Sequence, residues 1–267
     1  MSSNTSDGPD QEFLDSSQYT ENGILRYEQV FGRGFISSGG KETTAEFLPK
    51  LGLSKETSVL DVGCGIGGSA FAMAAEYGAK VTGIDLSKNM LAIAAKRAEE
   101  ANISTDQVSF VFGDIFDYEF KENSFDVIYS RDCFLHIAGK QKLFKRLIAL
   151  LKPEGRLFWT DYTAASSDKL TDEMRAYLAQ RGYTLEPVSV NKQHLIDAVG
   201  DQITSVEATD LTKRWIELLK KELARLEEVK SSLTEKDYKD LKTGWEQKIV
   251  RAQAGQQGWA SYYAVKK

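Results

Sequence analysis

The sequence contains very little cysteine, histidine or proline. Its 267 residues include two cysteines, two histidines and four prolines. The cysteines, Cys64 and Cys133, are too few for a disulfide framework or for a cysteine-rich metal cluster. We therefore expect a reducing, cytoplasmic location and no bound metal.

Long apolar runs and a basic N-terminal segment are also missing. The first residues, MSSNTSDGPDQ, do not combine a basic stretch with an apolar one, so they do not resemble a signal peptide. Their polar composition predicts a disordered tail over residues 1–12. No apolar run is long enough to span a bilayer, so no membrane span is expected.

The charge is weakly acidic, with a formal net value of −5. An acidic surface argues against broad binding of nucleic acid or of anionic membranes. It still permits a small basic pocket inside a cleft. We expect a small-molecule substrate, no nucleic-acid partner and a monomeric protein.

Strand and helix patterns alternate through the first part of the chain. Apolar strand patterns cover residues 58–65, 80–85, 107–114, 124–130 and 156–162, and helix patterns cover 67–79, 86–101 and 140–155. Such alternation predicts an α/β fold with a doubly wound, Rossmann-like parallel sheet. We assign residues 45–165 to this core.

The rest of the chain has a different pattern. Residues 166–255 are mostly charged and helix-forming, so we expect helical lid insertions on the same domain. Residues 13–44 are expected to form an N-terminal lid segment with a helix. The segment 256–267 ends in the alternating sequence GWASYYAVKK and predicts a closing strand.

A glycine-rich loop follows the first predicted strand. Residues 63–68, GCGIGG, contain the G-x-G-x-x-G spacing, and Asp85 ends the second strand about twenty residues later. This context predicts an adenosine-bearing cofactor, with Asp85 on the ribose hydroxyls and Gly63 and Gly65 in the loop. Asp61 would repel a pyrophosphate but tolerate an ammonium or a sulfonium, although it could instead cap the loop amides.

These motifs resemble those of class I methyltransferases. DVGCGIGG, the ID of the second strand, the GD at 113–114 and LLKPEGRL match the family pattern. The resemblance implies S-adenosylmethionine as cofactor, with S-adenosylhomocysteine as product. A nicotinamide-dependent oxidoreductase is the alternative from another enzyme class.

The flanking segments resemble phosphoethanolamine N-methyltransferases in their single-domain form. They are SQYTENGILRYEQVFGRGFISSGG, IYSRDCFLHI, TDYTA, YLAQRGYTL and GWEQKI. The resemblance implies methylation of phosphoethanolamine through mono- and dimethyl forms to phosphocholine. How many of the three steps one chain performs stays open, because plant members often carry two methyltransferase halves.

The chemistry explains the histidine in this pattern. Methyl transfer needs a neutral amine, yet an ammonium with a lysine-like pKa is only about one part in a thousand neutral at pH 7. Providing the neutral form costs roughly 4 kcal/mol unless a base takes the proton. We expect Asp132 to hold the amine and His136 to receive its proton, and the resemblance pairs Tyr19 with His136 as latch and relay.

The resemblance also implies the remaining site residues. Those expected to bind substrate, besides Asp132, are Gln18, Tyr27, Tyr162, Tyr177, Arg181, Tyr183 and Lys248. Those expected to bind cofactor are Ile36, Ser37, Asp61, Gly63, Gly65, Asp85, Leu86, Asp114, Ile115 and Arg131. A methyltransferase for another small amine or for a lipid acceptor, and a non-catalytic scaffold, remain the alternatives.

Overall fold

A seven-stranded mixed sheet forms the centre of the molecule, and the computed structural model describes residues 11–267. The strands are β1 Ser58–Val62, β2 Lys80–Asp85, β3 Val108–Phe112, β4 Phe125–Arg131, β5 Leu151–Ala164, β6 Ile203–Asp210 and β7 Gln257–Lys266. Their order in the sheet is β3-β2-β1-β4-β5-β7-β6. The pairs from β3 to β5 are parallel, whereas β7 pairs antiparallel with both β5 and β6.

Helices cover both faces of this sheet. They are α1 Gln11–Phe13, α2 Glu21–Phe31, α3 Gly40–Phe47, α4 Gly68–Tyr77, α5 Lys88–Glu100, α6 Lys140–Leu150, α7 Asp172–Arg181, α8 Val188–Val199, α9 Thr212–Glu228 and α10 Glu235–Gln253. Short 3₁₀ turns connect several of them, and a π-helical turn spans Leu14–Gln18. In residues 11–267, no helix is both long enough and apolar enough to cross a bilayer.

The alternation of side chains along the strands produces two apolar cores. Val59 and Val127 point to one face and pack with α3, α4, α9 and α10. Leu60 and Ile128, their neighbours in sequence, point to the other face and pack with α6 and α8. This arrangement confirms the predicted doubly wound α/β fold.

Local signals at helix ends agree with the sequence. The Ser87 side chain accepts a hydrogen bond from the Met90 amide and begins α5. Gly78 has a left-handed backbone with φ of 72° and ends α4. Both residues therefore lie at helix ends that the sequence pattern predicts.

Three predictions from the sequence differ from the structure. Helix α6 ends at Leu150 rather than at residue 155, because Leu151 already pairs with Phe125 and begins β5. The predicted helical insertion 166–255 also contains a strand, β6, whose mostly exposed residues give no apolar strand signature. Of the predicted tail 1–12, Gln11 and Glu12 lie in α1, and the remainder lies outside the described residues.

The N-terminal segment is tied to α5 by polar contacts. The Asp15 carboxylate accepts hydrogen bonds from the Ser87 hydroxyl and the Lys88 amide at the start of α5. Further along, the buried Glu28 carboxylate accepts two hydrogen bonds from Arg97, at 2.9 and 2.6 Å. Glu28 also accepts from the Gly34 amide at 2.7 Å, so one side chain links α2, α5 and the loop after α2.

Replacing Glu28 by Gln should lower the free energy of unfolding by about 3 kcal/mol at pH 7, because Arg97 would keep its charge without a buried partner. Burial opposes ionisation of Glu28, yet the Arg97 hydrogen bonds lower its pKa. Its contribution is therefore complete above the ordinary pKa of 4.5 and is lost as the pH falls through the lowered value. Urea unfolding at pH 7 and at lower pH measures this difference.

The matched control is Glu100→Gln, because exposed Glu100 also binds Arg97, at 2.9 Å. This control should change the free energy of unfolding very little. Equal effects of the two substitutions would contradict the assignment of Glu28 as the buried partner.

Candidate active site

A cavity of about 660 Å³ lies beyond the carboxyl ends of β1, β2 and β4. The strand order reverses between β1 and β4, which is where open α/β sheets bind ligands. The N-terminal segment forms part of the cavity wall through Tyr19, Ile36 and Ser37. All the predicted site residues line this cavity except Gln18 and Tyr177, within the part of the chain that the structure describes.

The glycine loop brings the main chain close to two neighbouring segments. Gly63 has a φ of 69°, and a Cβ atom there would lie 2.2 Å from the Cys133 sulfur. The Gly65 amide donates to Asp85 Oδ2 at 2.9 Å. A side chain at Gly63 would therefore push the loop away from the end of β4.

Two carboxyl groups face the cavity beside this loop. Burial, followed by the negative charge of Asp85, raises the pKa of Asp61 to about 7. Asp61 Oδ2 is buried and has no hydrogen-bond partner among the described residues. Burial also raises the pKa of Asp85, although the amides of Ser87 and Gly65 oppose this shift. Such a region stabilises a cation and disfavours a pyrophosphate.

The predicted cofactor residues reach the cavity in different ways. Asp114 Oδ1 accepts from the Phe116 amide, and Ile115, Leu86, Ile36 and Ser37 complete the wall. Arg131 is a different case, because its five N–H groups all donate to protein atoms: the Thr160, Thr44, Tyr129 and Thr43 hydroxyls and the Ser38 carbonyl. The Arg131 side chain therefore has no free N–H group for a ligand, and only its main chain could contact one.

Asp132 stands directly after β4 in an unusual backbone conformation. Its φ is 51°, a left-handed value that costs a non-glycine residue about 1–3 kcal/mol and is concentrated at functional sites. Oδ1 accepts from the Thr160 hydroxyl and the Trp259 indole, both at 2.7 Å, and Oδ2 accepts from the Ser38 amide at 3.1 Å. A carboxylate has about four acceptor positions, so one on Oδ2 remains for a ligand.

Tyr19 and His136 meet across the cavity. The tyrosine hydroxyl lies 2.9 Å from His136 Nε2, although the two residues are 117 positions apart. Burial, and then the positive charges of Arg181 and Lys140, lower the pKa of His136 to about 3. Burial also raises the pKa of Tyr19. Both groups are therefore uncharged near neutral pH.

A basic group, formed by Arg181 and Lys248, occupies another part of the cavity wall. Arg181 donates to the Tyr183 hydroxyl at 3.0 Å, and the Lys248 ammonium lies 4.5 Å from the centroid of the Trp245 ring. Burial lowers the pKa of Lys248, while the charge of Glu222 counteracts it. Cations with hydroxyl donors, in an apolar surrounding, suit a phosphate-like anion.

Gln18 and Tyr177 contact Arg181 and its neighbour Tyr183 but do not line the cavity. The Gln18 side-chain amide donates to the Arg181 carbonyl at 2.8 Å. The Tyr177 ring packs edge-on against Tyr183 with centroids 6.0 Å apart, and the Arg251 guanidinium lies 3.8 Å from the Tyr177 centroid. Their predicted contact with substrate stays a prediction.

Sequence reasoning missed the residues that hold Asp132 and the basic group. Ser38, Thr160 and Trp259 are the donors to Asp132, and the Glu222 carboxylate accepts from the Gly39 amide and the Trp245 indole, both at 2.8 Å. Trp259 lies opposite Tyr162 because β7 pairs with β5, and no sequence pattern indicates the register of that pair. Ser38 and Glu222 carry no pattern signal either.

Comparisons with known proteins identify what this chain is similar to. The family described as "Methyltransferase domain" matches residues 53–239. Phosphoethanolamine N-methyltransferase 1 of Triticum aestivum is 44% identical over 98% of this chain and 52% of its own length. Phosphoethanolamine N-methyltransferase of Plasmodium falciparum is 36% identical over 96% of this chain and 96% of its own. The chain spans about half the length of the plant relatives that it matches.

Solved structures extend the comparison to three dimensions. Phosphoethanolamine N-methyltransferase 2 of Haemonchus contortus, in complex with phosphomonomethylethanolamine and S-adenosylhomocysteine, superposes with a TM-score of 0.90 at 34% identity. The match covers 96% of this chain and 59% of that chain. The [4+2]-cyclase SpnF superposes with a TM-score of 0.75 at 19% identity, a likeness that concerns the fold alone.

Acid should loosen the segment 14–20 through His136. The pKa of His136 is about 3 in the closed cavity and near the ordinary 6.5 when the segment is open, so protons bind preferentially to the open form. Opening should increase about fivefold from pH 6.5 to 5.5. Hydrogen exchange of this segment, corrected for intrinsic rates, measures the change between pH 7 and 5, above the range in which Asp15 titrates.

His136→Gln, which keeps a polar partner for Tyr19, should remove this pH dependence. His194→Gln is the matched control and should retain it, since His194 pairs with Glu186 away from the cavity. Identical pH profiles for His136→Gln and the wild type would show that the imidazole is not the responsible group.

Proposed function

Because the chain belongs to the phosphoethanolamine N-methyltransferase family, we propose that it transfers methyl groups from S-adenosylmethionine to the nitrogen of phosphoethanolamine. The observation that carries the proposal is the division of one cavity into an acidic and a basic part. Asp61, Asp85 and Asp132 line the acidic part, and Arg181 and Lys248 line the basic part. A sulfonium cofactor and an aminoalkyl phosphate require this distribution.

The residues beside β1 and β2 fit the cofactor. S-adenosylmethionine supplies an electrophilic methyl group on a sulfonium when bound. The unpartnered Asp61 Oδ2 suits its amino-acid ammonium, and Asp85 suits the ribose hydroxyls. Asp114 would accept from the adenine amino group.

The substrate would lie between Asp132 and the basic group. The remaining acceptor position on Asp132 Oδ2 would hold the ammonium beside the cofactor. Arg181, Lys248 and the Tyr162 and Tyr183 hydroxyls would bind the phosphate, because charged donors in a water-poor cavity bind such oxygens strongly. Tyr27 would close the same end of the cavity.

The amine must lose a proton before its lone pair can attack the methyl group. We assign the relay to Tyr19 and His136: the amine N–H donates to the Tyr19 oxygen, and the Tyr19 proton passes to His136 Nε2. Burial lowers the pKa of His136, but it penalises the substrate ammonium in the same cavity as well. The transfer leaves the net charge of the cavity unchanged, so this burial penalty largely cancels.

Successive methylation to phosphocholine is compatible with the cation site. Asp132 attracts the substrate through charge, so it does not depend on a fixed number of N–H donors. One cavity could therefore hold the amine and its mono- and dimethyl forms in turn. Binding to another small amine or to a lipid is the alternative.

The test is mass spectrometry of products after incubation with labelled S-adenosylmethionine and phosphoethanolamine, and then with each methylated intermediate separately. We expect phosphocholine from all three substrates. His136→Ala should lower kcat about 100-fold or more, partly relieved at high pH, whereas His194→Ala should leave it near wild type. No product from any of the three substrates would refute the proposed acceptor.

The basic group should act on substrate affinity. Arg181→Met should raise KM for phosphoethanolamine about tenfold to 100-fold, because a charge-assisted hydrogen bond to phosphate is lost. Arg175→Met is the matched control, since exposed Arg175 lies on the same helix α7. Steady-state kinetics measure both variants, and an unchanged KM for Arg181→Met would favour an acceptor without a phosphate.

A further inference from the structure

Lys140 is a buried cation in an unfavourable position. It is the first residue of α6, and only 3% of its surface is exposed. The amino end of a helix carries partial positive charge, and burial removes an ammonium from water. Two unfavourable effects at one residue imply that its contacts compensate for them.

Those contacts lie on both sides of His136. The Lys140 ammonium donates to the main-chain carbonyls of Phe134 and Ile137. The first of these begins the 3₁₀ turn Phe134–His136, and the second directly follows it. One side chain thus fixes the two ends of the turn that presents the imidazole.

A second buried ionisable side chain, that of Asp161, holds the middle of the same turn. Burial raises the pKa of Asp161, and the positive charge of Lys140 opposes this shift. Asp161 is 2% exposed, accepts from the Leu135 amide and lies close enough to Lys140 for their charges to interact. The Leu135 carbonyl in turn accepts from the Thr184 amide at 2.9 Å, beside Tyr183. The turn is therefore held at Phe134, Leu135 and Ile137, with His136 pointing into the cavity.

We propose that Lys140 is a positioning residue for His136 and that Asp161 is its buried counter-charge. The bond between Tyr19 and His136 Nε2 is 2.9 Å long, and it depends on the placement of the turn. A displacement of the turn by about 1 Å would break that bond and can reduce catalysis about 100-fold. The expected loss of catalysis rests on the proposed function, whereas the expected displacement of the turn does not.

The kinetic test is a double-mutant cycle between Lys140→Met and His136→Ala. Lys140→Met alone should lower kcat at least tenfold with KM changed less than threefold. In the His136→Ala background the same substitution should lower kcat less than threefold, because the group that it positions is already absent. Equal losses in both backgrounds, or a loss confined to KM, would overturn the inference.

Lys266→Met is the matched control. The Lys266 ammonium also donates to a main-chain carbonyl, that of Leu151, at 2.7 Å, but it lies away from the cavity. Its kcat should remain within twofold of the wild type. If Lys140→Met does not fold, Asp161→Asn replaces it in the cycle, since it removes the counter-charge and keeps an acceptor for the Leu135 amide.

A second measurement separates this inference from the proposed function. Hydrogen exchange of residues 14–20 should rise at least fivefold in Lys140→Met, as in His136→Ala, and should rise no further in the double variant. This result would support the positioning role even if the wild type methylated none of the tested substrates. Unchanged exchange in Lys140→Met would overturn the inference, whichever acceptor the enzyme uses.

Discussion

The carboxylate of Asp132 is the point on which the rest of the site depends. Its three donors come from the loop before α3, from β5 and from β7, so distant parts of the chain must be folded before the group is fixed. Ser38, one of the three, is itself held by Arg131 through its carbonyl and by Trp215 through its hydroxyl. The cost of the left-handed backbone at Asp132 is offset by these bonds.

The cavity separates charges of opposite sign within one enclosed volume. Acidic groups lie at the carboxyl ends of β1, β2 and β4, whereas basic groups come from α7 and α10. The acids therefore belong to the sheet and the bases to the helical part of the chain. Binding of a molecule with a cationic and an anionic end would connect the two parts, and this agrees with the family to which the chain belongs.

The sequence predicted the parts of this arrangement that depend on local patterns. Alternating strands and helices indicated the doubly wound sheet, and the positions of Asp61, Asp85 and Asp132 at strand ends indicated the cavity. Contacts between distant residues were not predictable, since Trp259 meets Asp132 across 127 positions with no periodicity to connect them. The strand β6 also gave no signal, because an exposed edge strand has little apolar alternation.

The N-terminal segment contacts both halves of the cavity with one continuous stretch of chain. Tyr19 meets His136, while Ile36 and Ser37, less than twenty residues later, wall the cofactor side. On the proposed chemistry, the demethylated cofactor must leave after every transfer, and opening of this segment would release it. The same opening frees the partly methylated substrate, so methylation would be distributive, with intermediates released into solution and rebound between steps.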